Sequence, residues 1–272
     1  MKHQIFNLNP KNNIAFDTVE MPVDHIQAFQ TTRLHPFIEQ HSFSSSCTKN
    51  ACPKSFEYFN LGLHVADDAQ KVLENRQELL NYLPQNTAIQ WLEQVHGNHV
   101  VTVKNVSTSI QADAVITRTP KLALAIMTAD CLPILLANKQ GTEIAAIHAG
   151  WRSLAGEIIK ETLGNMYSDN NEVVAWLGPC IRQENFEVGV DVKQQFEQVN
   201  ANFSSAFIEH RQNQQANKWL ADLQKLARLQ LTELGVNHFS VNSHCTYAEN
   251  DRYYSYRREQ KTGRMASIIC IK

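Results

Sequence analysis

The most constraining feature of this sequence is a succession of short, mainly apolar segments between residues 114 and 148. Four of them, at residues 114–117, 122–127, 134–137 and 143–148, are separated by only four to six residues. Apolar runs of this length between turn residues are typical of buried β-strands. The gaps are too short for a helix to cross between parallel neighbours. The sequence therefore predicts a mixed sheet.

Flanking segments extend this pattern to an α/β (α+β) chain. Further strands are predicted at residues 88–92, 100–103, 173–177, 239–241 and 265–271, and helices at residues 68–83, 153–166, 192–199 and 219–234. Because no repeat or linker divides the chain, we expect a single domain over residues 1–272. Residues 1–35 are interpreted as an N-terminal extension that adds a strand or hairpin to it. The Ser-, Lys- and Asn-rich stretch 40–58 is predicted to be a long surface loop.

Charge and hydropathy exclude several classes of function. The 272 residues include 25 Lys and Arg against 27 Asp and Glu, a formal net charge of -2. This balance lacks the basic excess of nucleic-acid or membrane-surface binders. No apolar run approaches the ~20 residues that span a bilayer, and no signal peptide is evident. We expect a cytoplasmic protein with no nucleic-acid, membrane or protein partner, and six cysteines that are reduced because no C-x-x-C pair occurs.

Three side chains that commonly bind metals lie at the ends of predicted strands. They are His96 in WLEQVHG, Cys131 in TADCLPILL and His148 in AAIHAGWR. Two imidazoles and a thiolate suit a catalytic zinc, which usually has three protein ligands and one open position. Taken alone, the spacing is more typical of hydrogen-bonded structural histidines and a core cysteine than of a metal site.

A family resemblance favours the metal site. The chain contains, together and in order, NLGLHVADD (60–68), WLEQVHG (91–97), ADAVIT (112–117), TADCLPILLA (128–137), AAIHAGWR (145–152), WLGPCI (176–181), EVG (187–189), CTY (245–247) and YSYRREQKTGRMASII (254–269). From about residue 43 onward it resembles the laccase-domain family, described as purine nucleoside phosphorylases and also known as polyphenol oxidases or peptidoglycan-editing factors.

The resemblance implies a layered α/β/β/α sandwich with mixed sheets and a metal bound by His96, Cys131 and His148. It also implies phosphate-dependent cleavage of adenosine, inosine and methylthioadenosine, with adenosine deamination as a side activity. One departure stands out. The family usually has a Thr-Arg-x-Gly-Gly motif before the NLG segment, whereas this chain has neither Arg nor Gly there, and Ser46 stands in place of the Arg. Cys47 and Cys52 of this altered loop are interpreted as ordinary thiols.

Roles for other polar residues are hypotheses with structural alternatives. Asp130, beside Cys131, is a candidate proton carrier or orienting group, or alternatively a turn cap. Arg152 and Arg257 are candidate phosphate contacts, although surface ion pairs are the commoner role of arginine. Asn60 and Gln94 are candidate substrate contacts, or structural hydrogen-bonding residues. Purine nucleosides and phosphate are the expected ligands.

Three rival functions remain open at this point. Two histidines and a cysteine resemble a copper site, so Cu²⁺ is the alternative to Zn²⁺ and phenol oxidation the alternative reaction. However, none of the eleven histidines forms the H-x-H pairs that multicopper oxidases use. The second rival is a hydrolase that edits peptidoglycan precursors, with Cys131 as nucleophile and His148 as base. The third is a zinc-stabilised binding module without enzymatic activity.

Overall fold

Two β-sheets lie face to face, and helices cover the outer side of each. The computed structural model describes residues 13–36, 56, 58–108, 110–210 and 217–272. The strands are β1 Phe16–Thr18, β2 Ile26–Thr31, β3 Ala88–Gln90, β4 Val100–Val103, β5 Ala114–Thr117, β6 Leu122–Thr128, β7 Leu132–Asn138, β8 Ile144–Ala149, β9 Val173–Leu177, β10 Glu187–Gly189, β11 Phe207–Glu209, β12 Lys218–Ala221, β13 His238–Val241 and β14 Met265–Ile271. The α-helices are α1 Ala69–Leu79, α2 Trp151–Ala155, α3 Ile158–Asn165, α4 Val190–Val199, α5 Leu223–Glu233 and α6 Tyr256–Glu259.

Both large sheets mix parallel and antiparallel pairs, as the short gaps between strands predicted. One sheet has five strands in the order β1-β2-β14-β6-β3, and the other has six in the order β13-β9-β7-β8-β5-β4. Strand β3 pairs with β6, β4 with β5 and β13 with β9 in parallel, whereas the remaining pairs in these two sheets are antiparallel. A small third sheet has the order β10-β12-β11.

Side-chain alternation along the central strands creates three apolar layers. In β6, Leu122, Leu124 and Ile126 face the core between the sheets, whereas Ala123 and Ala125 face the layer that contains Leu79 of α1. In β7 and β8, alternate side chains face either the inter-sheet core or the helices α2 to α5. The period of two along each strand thus buries both faces of both sheets. The layered α/β/β/α arrangement is confirmed.

Two predicted helices differ from the structure. The predicted helix at 153–166 is two helices, α2 and α3, because Glu157 adopts a left-handed backbone conformation with φ 58°. The predicted helix at 219–234 was wrong at its start, where residues 218–221 form strand β12 instead. Asp222 then caps α5 by accepting a hydrogen bond from the backbone N–H of Lys225 at 2.9 Å.

The N-terminal extension adds a hairpin, as predicted. Strands β1 and β2 form an antiparallel pair that joins the five-stranded sheet through β14. The short strands β10 and β11 and the one-turn helix α6 were not predicted. The predicted surface loop, with Ser46, Cys47 and Cys52, lies almost entirely outside the described residues. None of the described helices is long and apolar enough to cross a membrane.

Candidate active site

Two passages of the chain from one sheet to the other meet the end of strand β8 at one edge of the sandwich. His96 lies on the passage from β3 in the five-stranded sheet to β4 in the six-stranded sheet. Cys131 lies on the passage from β6 to β7, which crosses in the same direction. His148 is the penultimate residue of β8 and is only 2% exposed. Three segments far apart in the sequence therefore converge on one point.

The three predicted ligands stand close enough to share an ion. One ligand atom from each of His96, Cys131 and His148 lies within 4.8 Å of the others, and the Cys131 Sγ and His96 Nε2 atoms are 3.9 Å apart. The two imidazole rings are 4.7 Å apart between centroids at an angle of 80°. Donor atoms around a tetrahedral zinc stand roughly 3.3–3.6 Å apart, so small side-chain adjustments would close the set around an ion. Among the described residues this is the one group of three or more His, Cys, Asp or Glu side chains with such proximity.

Asp113, which the sequence analysis did not select, holds two of these ligands in place. Its buried carboxylate accepts backbone N–H bonds from His96 at 2.9 Å and Gly97 at 2.7 Å. It also accepts the Nδ1–H of His148 at 2.8 Å. This bond leaves Nε2 of His148 as the ring atom free to bind a metal, the usual carboxylate–histidine–metal arrangement. The sequence offered two signals, a charged residue just before a buried strand and its place in the ADAVIT segment that carries the family resemblance.

Gly150 leaves the space that the donor set occupies. A Cβ atom built on this residue would lie 3.1 Å from the Sγ of Cys131 and 3.4 Å from the Cδ2 of His96. Both distances are at or below ordinary carbon contact, so a larger residue would push two of the three ligands. The donor chemistry, the Asp113 contact and this cradle together fit a metal ion with two nitrogen ligands and one sulfur ligand.

The site also favours charge separation between the thiol and the buried imidazole. Burial by itself raises the pKa of the Cys131 thiol, but the facing His148 and hydrogen bonds from both imidazoles outweigh burial and lower the pKa to about 6. Burial lowers the pKa of His148, but the Cys131 thiolate and the hydrogen bond to Asp113 outweigh it and raise the pKa to about 9. A thiolate is the form that binds metal or attacks an electrophile.

The three ligands line an open cavity of about 690 Å³. This volume is within the range of sites that bind small organic ligands. Three aromatic side chains line the same cavity, Trp151 on α2, Phe186 before β10 and Tyr256 on α6. Tyr256 is 54% exposed, so part of its ring is available to a ligand at the mouth. The cavity thus combines a polar donor set with flat apolar surfaces.

Three of the predicted polar residues, Asp130, Gln94 and Asn60, make structural hydrogen bonds to other segments of the chain. The Asp130 carboxylate accepts hydrogen bonds from Thr246 Oγ1 at 2.7 Å, Ser255 Oγ at 2.9 Å and the backbone N–H of Arg257 at 2.7 Å. Gln94 bonds to both backbone groups of Met127 at 2.8 Å, although it also lines the cavity.

Asn60 is fully buried and does not line the cavity. Its Oδ1 accepts the backbone N–H of Gly62 at 3.0 Å and that of Arg264 at 2.8 Å. Asn60 therefore contributes to the site indirectly, by fixing the backbone of Arg264, which lines the cavity.

The two predicted arginines lie at the cavity, and two more basic residues accompany them. The guanidinium of Arg152 lies 4.5 Å from the Trp151 ring centroid, and both Nη atoms of Arg257 donate to the carbonyl of Glu187 at 3.1 Å. His64 and Arg264 also line the cavity, and the sequence analysis missed both. Both lie in segments that carry the family resemblance, NLGLHVADD and KTGRMASII, but neither residue was assigned a role from the sequence.

This chain is similar in sequence to a known family and to several named proteins. The family described as "Multi-copper polyphenol oxidoreductase laccase" matches residues 42–272. The purine nucleoside phosphorylase YfiH of Escherichia coli is 44% identical over 220 residues, which cover 79% of this chain and 87% of that protein. A purine nucleoside phosphorylase of Haemophilus influenzae is 36% identical over 231 residues, covering 84% of this chain and 93% of its own length.

Solved structures share the fold. A Neisseria meningitidis protein of known crystal structure superposes with a TM-score of 0.81 at 35% identity, covering 95% of this chain and 99% of that one. The YfiH protein of Bacillus licheniformis has a TM-score of 0.81 at 24% identity, covering 96% of this chain and 98% of that one.

Proposed function

This chain belongs to the multi-copper polyphenol oxidoreductase laccase family, and from that premise we propose that it is a zinc-dependent purine nucleoside phosphorylase. The observation that carries the proposal is the cavity whose lining includes His96, Cys131 and His148 beside aromatic and cationic side chains. Relatives that bear the name purine nucleoside phosphorylase support it. Adenosine, inosine and methylthioadenosine are the proposed substrates, and the cytoplasm stays the expected location.

His96, Cys131 and His148 would hold the metal, with Asp113 fixing the orientation of His148. A zinc ion there would supply a Lewis acid and, for deamination, a water of lowered pKa. Side chains of the protein would bind the two substrates. The aromatic side chains give a purine flat surfaces to stack on, and the basic side chains offset the charge of phosphate.

Phosphorolysis exchanges one bond at the ribose for another. A phosphate oxygen forms a bond to C1′ while the bond between C1′ and the purine N9 breaks. The electron pair goes to the purine, which is released as the free base after gaining a proton. The cavity favours this step by holding phosphate and nucleoside together, which removes much of the entropic barrier. In the deaminase side reaction, water oxygen replaces the 6-amino group of adenosine and ammonia leaves.

The deciding experiment incubates the purified, zinc-loaded protein with adenosine, with and without phosphate, and separates the products. We expect adenine and ribose-1-phosphate only when phosphate is present, and a smaller amount of inosine in both conditions. Absence of all three products in both conditions would contradict the proposal. Cys131→Ala should remove both the bound metal and the turnover, because the thiolate is the anionic ligand of the set.

One observation favours a second function, a cysteine hydrolase. Cys131, His148 and Asp113 would serve as nucleophile, base and orienting carboxylate in such an enzyme, and the Nδ1 of His148 lies 2.8 Å from the Oδ1 of Asp113. The two functions use the same thiolate differently, so reagents separate them. A chelator should abolish activity of a metalloenzyme and spare a cysteine hydrolase, which alkylation would inactivate.

The identity of the metal is a separate question that the family description raises. Two imidazoles and a thiolate also bind copper, and copper has the higher intrinsic affinity for such ligands. We propose zinc as the native ion. Expression in medium containing both metals at matched, buffered activities, followed by elemental analysis and a phenol oxidation assay, tests this. Copper in the purified protein together with phenol turnover would support the oxidase instead.

A further inference from the structure

Three arginines line the cavity, and they differ in how free their guanidinium groups are. Arg257 is exposed, and both of its Nη atoms already donate to the carbonyl of Glu187. Arg152 is exposed and stacks against Trp151. Arg264 is half-buried, and its Nη1 donates to the carbonyls of Thr262 at 2.9 Å and Gly263 at 3.0 Å, the hydrogen bonds that its guanidinium makes to described residues. Within the described parts of the chain, no carboxylate forms an ion pair with Arg264.

The backbone and stem of Arg264 are fixed on several sides. Its N–H donates to the Oδ1 of Asn60 at 2.8 Å, and its carbonyl accepts from the N–H of Leu61 at 3.1 Å. Its side chain packs on Gly62, where an added Cβ would lie only 2.8 Å from the Arg264 Cγ. A guanidinium held in this way loses little freedom when it binds a ligand, which is the condition for strong anion recognition.

A second, independent group in the same cavity lacks a partner. Thr128 is 2% exposed, and its Oγ1 atom is buried without a hydrogen-bond partner among the described residues. A buried hydroxyl in this state costs about 1–3 kcal/mol, so a ligand that bonds to it recovers that cost. Thr128 pairs with Met265 across the sheet, and Met265 directly follows Arg264. Arg264 therefore directly precedes the residue that pairs with Thr128, and both Arg264 and Thr128 line the cavity.

We propose that Arg264 and Thr128 form the phosphate subsite of the cavity, with the exposed His64 imidazole as a further donor at its edge. This rests on the proposed phosphorylase function. A planar guanidinium bonds phosphate through two parallel N–H groups, and a hydroxyl adds a third contact. Thr128 ends strand β6 of the five-stranded sheet, and Arg264 directly precedes β14 of the same sheet. Trp151 and Phe186 lie on the side of the six-stranded sheet, so the nucleoside and the phosphate would bind to different walls of the cavity. The subsite lies wholly outside the altered loop around Ser46.

The test compares Arg264→Gln with wild type in phosphate saturation kinetics at saturating adenosine. We expect the KM for phosphate to rise about 10–100-fold, the usual range for loss of a charge-assisted hydrogen bond, while the KM for adenosine changes less than about threefold. Thr128→Val, which keeps the shape of the side chain, should raise the phosphate KM about 5–10-fold. Arg228→Gln on the exposed face of α5 is the matched control, and its phosphate KM should equal that of wild type.

Gly62→Ala provides a variant that keeps the charge but displaces it. The added methyl would meet the Arg264 stem, so the phosphate KM should rise although every donor is retained. Metal content and thermal midpoint are measured for each variant. An unchanged phosphate KM in Arg264→Gln overturns the proposal, whether metal is retained or lost. If Arg264→Gln fails to fold, Thr128→Val and Arg264→Lys decide by the same criterion.

Direct binding separates this proposal from the proposed function. Inorganic phosphate is titrated calorimetrically into zinc-loaded wild type and Arg264→Gln without nucleoside. If wild type binds phosphate and the variant binds it at least about tenfold more weakly, the subsite stands even if no nucleoside is cleaved. Equal binding by both proteins, or no binding by either, overturns the subsite. Absence of nucleoside cleavage by wild type contradicts the phosphorylase function alone.

Discussion

At the scale of single residues, Asp113 connects the metal ligands to the fold. Its carboxylate bonds to the backbone of the His96 segment and to the His148 ring, so one side chain sets two ligands. It has no access to solvent, so its charge is balanced by these donors together with the backbone N–H of Val95 at 3.3 Å. Orientation of a ligand by a buried carboxylate raises metal affinity without any contact to the metal.

Asp113→Asn should therefore weaken zinc binding about 10–100-fold, because the amide cannot accept from all of these N–H groups at once. Competition with a chromophoric chelator measures the affinity. Glu249→Gln is the matched control, since Glu249 also bonds a histidine, His244, at 2.8 Å, but outside the cavity. Equal zinc affinity in Asp113→Asn and Glu249→Gln would show that Asp113 does not position the ligands.

The shifted pKa of Cys131 predicts how the metal-free protein reacts with iodoacetamide. Only the thiolate is alkylated, and a pKa of about 6 leaves most of Cys131 as thiolate at pH 7. The alkylation rate of this residue should fall about tenfold between pH 7 and pH 5 and should change little between pH 7 and pH 8. Peptide mass spectrometry identifies the modified residue. Burial holds the pKa of Cys180 well above its ordinary value, so that thiol should stay unreacted.

The three ligands were predictable because each stands in a distinctive motif at the end of a predicted strand. Asp113 and Arg264 were missed for a physical reason. Their roles depend on contacts with residues that are distant in the sequence, His148 for one and Asn60 for the other. An aspartate or arginine beside a strand has no local feature that separates it from a solvent-exposed charge.

At the scale of secondary-structure elements, the buried strands were predicted best. Strands β4, β5, β9 and β14 have the predicted bounds, because a run of apolar residues between polar turns leaves few alternatives. The break between α2 and α3 was not predictable, since residue 157 is a glutamate, which ordinarily favours a helix. The start of α5 was wrong because pairing of β12 with β10 and β11 overrides helical periodicity.

One buried carboxylate fastens the start of β8 to the chain that follows α3. Glu143, 2% exposed, accepts backbone N–H bonds from Tyr167 at 2.9 Å and Ser168 at 3.0 Å, and it pairs with Arg118. Glu143→Gln should lower the free energy of unfolding by about 2 kcal/mol at pH 7, because charge-assisted bonds are lost. Denaturant titration measures this. Glu172→Gln, which removes an exposed pair with Lys139, should cost under about 0.5 kcal/mol.

The same carboxylate gives a pH dependence of known sign. Burial raises the pKa of Glu143, but bonds from Ser168 and Tyr167 and the Arg118 charge outweigh it and hold the pKa below its ordinary value. A lowered pKa in the folded state gives stability that is complete above the unfolded pKa and is lost as the pH falls through the folded pKa. The difference between wild type and Glu143→Gln should therefore shrink below about pH 4.5. A constant difference down to pH 3 would contradict this account.

At the scale of the whole molecule, the layered arrangement was expected from the family resemblance, whereas the strand pattern alone predicted one mixed sheet and not the two large sheets that the structure has. The single-domain organisation over residues 1–272 stays a prediction. The apolar cores between and outside the sheets contain none of the three metal ligands. We therefore expect the sandwich to fold without the metal at its edge.

Removing the metal should accordingly leave the far-ultraviolet circular dichroism at 25 °C unchanged and lower the thermal midpoint only by the linkage of binding to folding. At a free zinc concentration of 100 times the dissociation constant, that linkage is about 2.7 kcal/mol. A chelator titration followed by spectroscopy and calorimetry checks both values. Unfolding on chelation would instead indicate a metal-stabilised module.

His96 and Cys131 each lie on a passage of the chain between the two sheets. An ion bound to both would cross-link these passages and hold the sheets together at one edge of the sandwich. The ion would leave through the open cavity once its bonds to the two passages break, and relative motion of the passages would favour that break. The exchange rate of the metal would report how often the two sheets move relative to each other. Tighter packing of the inter-sheet core would lower that rate even with every ligand unchanged.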